Sequence, residues 1–258
     1  MAAFNELIVC PILIGRTAEL AAFHLLIDQV KSGKGQVALL SGEAGVGKSR
    51  LVAETKAYAA AQGFLLLQGN CFQNDVSYPY APLLDLVRSS AAKQLAAAVD
   101  SDLAPFAREL HLLVPDVVPL PPDQAPLASS DPEQEKRRLF TALAHFFTSQ
   151  ATKQAMLLVI EDIHWSDDTS LDFLHYLARR CPAHPLLLLL TYRSDEVRPS
   201  LRHFLAHLDR ERLVQERSLA RLTRDEVEAM LRVCAMRQKH FNWRARSSPC
   251  QRRPMRTS

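Results

Sequence analysis

The sequence predicts an α/β fold in which helices cover both faces of a central parallel sheet, a three-layer sandwich. Four short apolar segments have the length of buried strands, helical stretches separate them, and one strand-to-helix junction is rich in glycine. This alternation favours parallel pairing, because each parallel connection needs a crossover, which a helix usually supplies. With 258 residues, 48% of them hydrophobic, the chain can bury one sizeable core.

The predicted strands cover residues 36–41, 64–68, 156–160 and 186–192 in chain order. Gly69 directly follows the second strand, and the fourth contains five consecutive leucines. Segments this apolar are expected to be buried on both faces, as in a sheet covered by helices.

Helices are predicted between these strands. Residues 49–62 carry apolar side chains at helical spacing after the first strand, and a further helix lies around Leu174. Residues 72–150 have mostly helical patterning, but the prolines within 115–132 exclude a continuous helix there. An amphipathic helix begins at Asp131, with acids in its first turn and an apolar face formed by Leu139, Leu143 and Phe146.

Residues 42–49 read GEAGVGKS, which fills every fixed position of the phosphate-binding loop Gly-x4-Gly-Lys-[Ser/Thr] between a strand and a helix. The glycines allow the backbone to turn its N–H groups toward phosphate oxygens, and the helix start adds partial positive charge. Lys48 is expected to reach the β- and γ-phosphates, and Ser49 to place its hydroxyl on Mg²⁺. The predicted nucleotide-binding residues here are Gly42, Gly45, Val46, Gly47, Lys48 and Ser49. The predicted fold is therefore that of a P-loop NTPase.

The third strand ends in Glu161 and Asp162, which the parallel arrangement places at the carboxyl edge of the sheet. With Ser49, these acids are the predicted metal ligands. One acid would hold Mg²⁺ or its water, and the other would orient and deprotonate the attacking water. The alternative is a pair of acids that ends a strand in solvent.

Arg193 follows the fourth strand and is a third candidate catalytic residue, with Glu161 and Asp162. At the tip of this strand it could contact the γ-phosphate or the nucleophilic water. The alternative pairs Arg193 with Asp195 or Glu196 on the surface, where such pairs contribute about 0 to 1 kcal/mol.

Four residues after the third strand receive mainly structural assignments. Asp167 and Asp168 are expected to cap the next helix, whose first N–H groups lack partners. His164 and Trp165 could line the site, although a lone His-Trp pair is more often a packing element.

Together these segments resemble the P-loop ATPase module of STAND-class AAA-like ATPases, found in large LuxR-type, MalT-like transcriptional regulators and in some adenylate cyclase-linked proteins. The resemblance covers about residues 10–231. It rests on ILIGRTAELAAF, GEAGVGKSRLVAE, GNCFQNDVSYPYAPLLDLVR, PEQEKRRLFTAL, LLVIEDIHWSDDTSLDFLHYLARR, LLLLLTYRSDEV and LARLTRDEVEAML, in that order.

The resemblance implies further roles for four positions. It places Gly15 and Arg16 near the adenine and ribose, and Arg193 at the first sensor position. Glu161 stands where the family usually has the magnesium-linked Asp, which leaves open which acid of Glu161 and Asp162 has which role. No Asn-Lys-x-Asp guanine-reading element is seen, so ATP with Mg²⁺ is expected rather than GTP.

Four regions are predicted: an N-terminal arm (1–10), the P-loop ATPase domain (11–215), the start of a helical lid (216–236) and a basic disordered tail (237–258). Thr223 and Glu226 are spaced as a capping box at the start of the lid helix. Family members continue into further helical and DNA-binding domains, so the resemblance implies a truncated or frame-shifted regulator. DNA binding would need domains missing from this chain.

Composition excludes several other classes. The tail carries seven basic residues and no acid, whereas the rest of the chain has 24 basic and 28 acidic residues. This tail could attract nucleic acid through phosphates, but a solvated terminus or a frameshift product is the alternative. The five cysteines have no metal-ligand spacing, and no apolar run approaches a membrane span, so a reduced, cytoplasmic protein without membrane contact is expected.

Two hypotheses of function follow. The first is slow Mg²⁺-dependent hydrolysis of ATP to ADP and phosphate, acting as a regulatory switch. The second is a non-catalytic nucleotide-dependent switch or scaffold, or an inactive truncated fragment, in which ATP or ADP sets how the module packs. The resemblance also allows a homo-oligomer.

Overall fold

The computed structural model describes residues 12–74, 78–88, 104–115 and 131–246. Within them the chain forms two compact units. Ala18–Ala220 make up the larger unit, and the described residues on either side of it make up the smaller one. The predicted arm (1–10) lies outside the described residues.

The larger unit contains a five-stranded sheet in which every pairing is parallel. The strand order is β2-β3-β4-β1-β5, so β1 lies inside the sheet. The strands are β1 (Gln36–Gly42), β2 (Leu65–Asn70), β3 (Met156–Glu161), β4 (Leu186–Arg193) and β5 (Gln215–Leu219).

Eight α-helices are described along the chain. They are α1 (Thr17–Lys31), α2 (Lys48–Ala61), α3 (Ala81–Arg88), α4 (Ala107–Leu113), α5 (Pro132–Lys153), α6 (Asp168–Ala178), α7 (Pro199–Arg210) and α8 (Arg224–Arg246). None of these described helices is both long and apolar enough to cross a bilayer. Within the larger unit, helices connect and flank the strands of the parallel sheet, so the predicted α/β fold of the P-loop NTPase type is confirmed.

The four predicted strands are present, but their burial differs: β1, β3 and β4 are almost entirely buried, whereas four of the six residues of β2, at an edge of the sheet, are half-buried. In β3 and β4 all residues except the last of each strand are buried, which is the pattern of a sheet covered on both faces. The predicted helix at residue 131 is also present. Asp131 is its N-cap and accepts a hydrogen bond from the Glu133 N–H at 3.1 Å, with a proline at the first helical position.

Aromatic side chains pack α5 onto α6. The Phe140 and Phe173 rings meet edge to face with centroids 5.4 Å apart, and Phe146 and Phe147 are fully buried beside them. Edge-to-face pairs of this kind add about 0.5 to 1.5 kcal/mol beyond the apolar area they bury. This packing fixes α6, which follows the acidic end of β3 after one 3-10 turn (Ile163–Trp165).

The strand β5 was not predicted, and it changes the limit of the sheet domain. Residues 216–219, assigned from the sequence to the lid, pair with β1 from Leu39 to Gly42. Four of its five residues are exposed and polar, so the segment lacks the apolar pattern on which the other strands were recognised. Its backbone pairing at the sheet edge, rather than side-chain burial, makes it a strand.

The smaller unit contains α8, and its first turn has the predicted capping box. The Thr223 N–H donates to Glu226 Oε2 at 2.7 Å, and the Glu226 N–H donates to the Thr223 hydroxyl at 3.3 Å. The helix continues to Arg246, so residues 237–246 are helical where the sequence predicted disorder. Six of these ten residues are Arg, Lys, Gln or Ala, which are strong helix formers, so helix propensity outweighs the lack of an apolar period. Residues 247–258 lie outside the described part.

Candidate functional site

The predicted phosphate loop connects β1 to α2 at the carboxyl edge of the sheet. Gly42 ends β1, and Gly47 has φ 105°, a left-handed conformation that glycine adopts at little cost. A Cβ on Gly42 would lie 2.9 Å from the Leu219 carbonyl oxygen, so β5 closes this side of the loop. Gly45 also has a positive φ and is exposed with Ser49, while Val46 is half-buried. The loop therefore has the backbone shape that its motif predicted.

The N-terminus of α2 has no side-chain cap. Gly47 occupies the N-cap position and contributes no side chain, so the first N–H groups of the helix have no such acceptor. These N–H groups and the positive end of the helix dipole favour an anion. The loop thus offers the chemistry of a phosphate site.

Lys48 folds back over the loop. Its Nζ donates to the Gly42 and Glu43 carbonyl oxygens at 2.8 and 2.9 Å, and the residue is buried. Burial lowers the pKa of Lys48, while the negative charge of Asp162 opposes this effect. A cation held by neutral carbonyls in a poorly solvated position is well suited to bind a phosphate oxygen.

Ser49 and Glu161 bring the loop to the acidic end of β3. The Ser49 hydroxyl donates to Glu161 Oε2 at 2.7 Å, across 112 residues of sequence. The other oxygen, Oε1, accepts a hydrogen bond from Gln68 Nε2 at 2.9 Å, and Lys56 in turn contacts Gln68. Glu161 is therefore held in a fixed orientation between β2 and α2.

Asp162 has a different setting from its neighbour. It adopts a left-handed conformation with φ 61° and ψ 42°, which costs a non-glycine residue about 1 to 3 kcal/mol. Its N–H donates to the Thr191 hydroxyl at 3.0 Å, and 41% of its side chain is exposed. The strained turn directs a solvent-accessible carboxylate into the region where Lys48 and Arg193 also contribute charge.

Arg193 lies at the end of β4, beside Gly42 in the register of the sheet. Its Nη1 is 2.6 Å from Glu196 Oε1, and this hydrogen bond raises the pKa of Arg193. The surface pairing considered as the alternative from the sequence therefore exists, with Glu196. Both side chains are about one-third exposed, so the pair is weak enough to exchange for another anion.

His164 is fully buried, and its ring lies between Asp162 and Glu196. Its ring nitrogens lie 3.8 Å from Asp162 Oδ1 and 3.7 Å from Glu196 Oε2, too far for hydrogen bonds. Burial lowers the pKa of His164, and neither ring nitrogen has a hydrogen-bond partner among the described residues. The sequence favoured a packing role for His164 over a place in the site, whereas the structure puts its ring beside Asp162 and Glu196.

Arg16 belongs to the smaller unit, and its role near the adenine and ribose stays a prediction. Within that unit it is buried, and its charge contributes, after two hydrogen bonds from Thr223, to lowering the pKa of Glu226. Arg16 is therefore coupled to the capping box that starts α8.

Of the two acids predicted to cap α6, Asp167 is confirmed as the cap. Asp167 is the N-cap and accepts hydrogen bonds from the Ser170 N–H at 2.8 Å and hydroxyl at 2.5 Å, while Asp168 is the first helical residue. Gln68 and Thr191 were not predicted as supports of the acids. Each lies two residues before the carboxyl end of its strand, and that position was the available indication.

The donor set fits the groups that the loop motif implies. Magnesium prefers oxygen ligands, and adjacent ligands of its octahedral shell, bonded at 2.0–2.1 Å, lie about 2.9 Å apart. The Ser49 and Glu161 oxygens are separated by 2.7 Å, close to that spacing. Ser49 and Glu161 can thus hold Mg²⁺, and the loop can hold the phosphates of a nucleotide.

A protein-family model described as "AAA ATPase domain" matches residues 12–189, more than half of the chain. The chain therefore belongs to the AAA ATPase domain family, which the phosphate loop and the acidic end of β3 also indicate. Nucleotide binding follows from this membership.

One curated relative and two solved structures are among the proteins similar to this chain. An uncharacterised protein of Rhizobium meliloti (strain 1021), R02095, is 32% identical over 192 residues, which is 71% of this chain but 19% of that protein. The Cdc6p structure from Pyrobaculum aerophilum has a TM-score of 0.50 at 15% identity, covering 89% of this chain and 52% of that one. A STAND protein with a tetratricopeptide repeat sensor from Pyrococcus horikoshii, PH0952, has a TM-score of 0.41 at 14% identity, covering 90% and 28%. This chain thus spans about a fifth to a half of the proteins it matches.

Proposed function

We propose that this chain is an ATP-binding module that hydrolyses ATP slowly, with Mg²⁺, and whose nucleotide state acts as a regulatory switch. The observation that carries the proposal is the Ser49–Glu161 contact at 2.7 Å, which joins the phosphate loop to the acidic strand end. A phosphate loop alone would bind an anion. A phosphate loop in contact with the carboxylate of Glu161 can bind a triphosphate together with its cation.

The phosphate loop would bind the β- and γ-phosphates. The uncapped N–H groups of α2 and the Lys48 ammonium are the donors, and Lys48 would exchange its bonds to the Gly42 and Glu43 carbonyls for phosphate oxygens. The ammonium is the donor in both cases, but a phosphate oxygen is negatively charged and a carbonyl is neutral, so the exchange adds attraction between opposite charges.

Magnesium would be held by Ser49 and Glu161, and when bound it neutralises charge that develops on the phosphate oxygens. Glu161 suits this role because Gln68 already fixes its second oxygen. Asp162, whose side chain is 41% exposed and whose carboxylate is not the one that accepts from Ser49, is the acid left to act on water.

In the hydrolytic step, Asp162 would orient a water molecule toward the γ-phosphorus and accept its proton. A bond forms between the water oxygen and phosphorus, the bond from phosphorus to the β,γ-bridging oxygen breaks, and ADP leaves with phosphate as the second product. Arg193 would leave Glu196 and contact the γ-phosphate, which offsets charge on the transferred group.

The test is phosphate release measured together with binding of a fluorescent ATP analogue. Asp162→Asn should remove at least nine-tenths of the turnover while affinity stays within about threefold, since losing a general base typically costs 10²- to 10⁴-fold. Asn is the suitable replacement because it tolerates the left-handed conformation of residue 162. Equal turnover in parent and variant would contradict the catalytic role. No turnover in the parent despite tight ATP binding would favour the non-catalytic switch.

We infer adenine selectivity from the family resemblance and from the absence of a guanine-reading motif in the sequence. ATP should therefore compete more effectively than GTP for the bound analogue. Competition by GTP at the same concentration would remove this part of the proposal.

The regulatory setting rests on the resemblance to LuxR-type regulators and on the length of the relative, of which this chain matches 19%. In such a protein the module would transmit its nucleotide state to other domains by a shift in conformational population. Expression of the full-length R. meliloti relative, with the Lys48-equivalent changed, would test whether nucleotide binding controls the activity of the remaining domains.

A further inference from the structure

A cluster of histidines lies away from the nucleotide site, where α6 packs against α7. His175 is in the last turn of α6, His203 and His207 are one turn apart on α7, and Glu211 follows directly after α7. Residues four apart on a helix project from the same face, so His203, His207 and Glu211 form one row. Helix packing brings His175 to this row.

The cluster contains three groups whose geometry suits a metal ion. One ligand atom from each of His175, His207 and Glu211 lies within 4.8 Å of the other two. Within this set, His175 Nε2 and Glu211 Oε1 are 3.2 Å apart. Tetrahedral zinc with bonds of 2.0–2.1 Å places its ligands about 3.3 Å from each other. One pair already has this spacing, and a small rotation of His207 would complete the set.

The surroundings favour an ion over three unrelated polar side chains. The His175 and Glu211 side chains are only 24% and 28% exposed, so each loses part of its hydration and gains from a shared partner. Arg179 Nε lies 3.2 Å from Glu211 Oε2, which leaves Oε1 directed at His175. Metal-binding carboxylates are commonly oriented by a hydrogen bond to their second oxygen, and Arg179 is placed to do this for Glu211.

Access to the cluster comes from a cavity of about 480 Å³ between the two helices. His175, His203 and His207 line it, together with Asp168, Asp172 and Phe204. An ion could therefore enter from solvent and keep a water molecule in the remaining coordination position. Three protein ligands with one open position are a known arrangement for zinc.

We propose that His175, His207 and Glu211 form a Zn²⁺ site that ties α6 to α7. Two imidazole nitrogens and one carboxylate suit zinc, whereas magnesium and calcium prefer oxygen ligands throughout. The two helices follow β3 and β4, whose ends carry Asp162 and Arg193. This zinc site shares no residue with the phosphate loop. The zinc proposal and the ATP proposal can therefore be tested independently.

The His207 side chain must exchange partners for this binding. It now contacts His203, with the Nε2 atoms 2.8 Å apart, and Arg210 Nη2 lies 2.7 Å from its Nδ1. Both contacts are exposed, and the imidazole can leave either one to bind the ion. His203 is a neighbour of the site rather than one of its three ligands.

The test is calorimetric titration of the untagged, nucleotide-free protein with ZnCl₂. The expected result is one Zn²⁺ per chain, with affinity at least tenfold lower in His175→Gln and in His207→Gln. His24→Gln is the matched control, because His24 is also half-buried but stacks on Tyr58 in another part of the larger unit. It should bind Zn²⁺ as the parent does.

Two further measurements guard against misfolded variants and scattered binding. Circular dichroism should show the same helix content for all variants, and Co²⁺ added to the parent should give the visible absorption of a four-coordinate ion that His207→Gln lacks. No stoichiometric Zn²⁺ binding by the parent would overturn the proposal. Equal weakening by His24→Gln, with intact helix content in every variant, would overturn it as well, because binding would then be scattered over surface histidines.

Discussion

The two halves of the candidate site are built in different ways. The phosphate loop is one contiguous segment whose conformation follows from its own glycines and from the strand and helix at its ends. The acidic half is assembled from β2, β3 and β4, and its members Gln68, Glu161 and Thr191 meet only through the register of the sheet. Local sequence therefore determines the first half, and tertiary pairing determines the second.

This difference has a consequence for how each half should respond to mutation. Lys48 and the α2 N-terminus contact phosphate directly, so changes there should act on binding. The residues of the acidic half are held by other parts of the protein: Glu161, Asp162 and Arg193. Changes to them should therefore alter the magnesium requirement or the rate of hydrolysis more than the affinity for ATP.

The largest expected effect is that of Lys48→Ala. The variant loses a charge-assisted bond to phosphate worth about 1.5 to 3 kcal/mol, which weakens ATP binding by about 10- to 150-fold. Lys34→Ala is the control, since Lys34 is exposed in the turn before β1. Titration with a fluorescent ATP analogue measures both. An unchanged affinity in Lys48→Ala would show that the loop does not bind the nucleotide.

The next effect concerns magnesium. Ser49→Ala and Glu161→Gln should each raise the Mg²⁺ concentration needed for half-maximal ATP binding by at least tenfold, because each removes an oxygen ligand of a cation that needs hard donors. Glu135→Gln, on the exposed face of α5, should leave it unchanged. If metal-free binding were as tight as binding with Mg²⁺ in the parent, the role of Glu161 would be wrong.

The third prediction compares the effects on turnover of changing Arg193 and changing its ion-pair partner, Glu196. Arg193→Ala should lower turnover at least tenfold, whereas Glu196→Gln removes only an exposed ion pair worth about 0 to 1 kcal/mol and should change turnover less than about fivefold. Steady-state phosphate release compares the two. Equal losses would mean that the pair acts as a unit and that Arg193 does not move to the phosphate.

The smallest effect lies at the opposite end of β4, in the turn before it. Complete burial raises the pKa of Cys181 from 9.0 to about 12. Its thiol should therefore resist alkylation at pH 8 in the folded protein, while the partly exposed Cys234 reacts. The unfolded thiol loses its proton at lower pH than the folded one, so this group also lowers stability between about pH 9 and 12. Peptide mass spectrometry after brief labelling measures the difference, and rapid labelling of Cys181 would contradict its burial.

The sequence predicted the sheet core and the contiguous part of the site well for a physical reason. Buried strands such as β3 and β4 are apolar throughout, and a phosphate loop carries its conformation in its own residues. The polar edge strand β5 has no such pattern, and its pairing with β1 decides its structure. Gln68 and Thr191 were missed for the same reason, since only the register of the sheet brings them to the acids.

The central claim is that the carboxyl edge of this sheet binds ATP with its magnesium ion. Isothermal titration of the parent chain with ATP, with and without Mg²⁺, tests it most directly. We predict one ATP per chain, bound at least tenfold more tightly with Mg²⁺ than with a chelator present. Absence of ATP binding under both conditions, by a chain whose circular dichroism shows the expected α/β content, would contradict it.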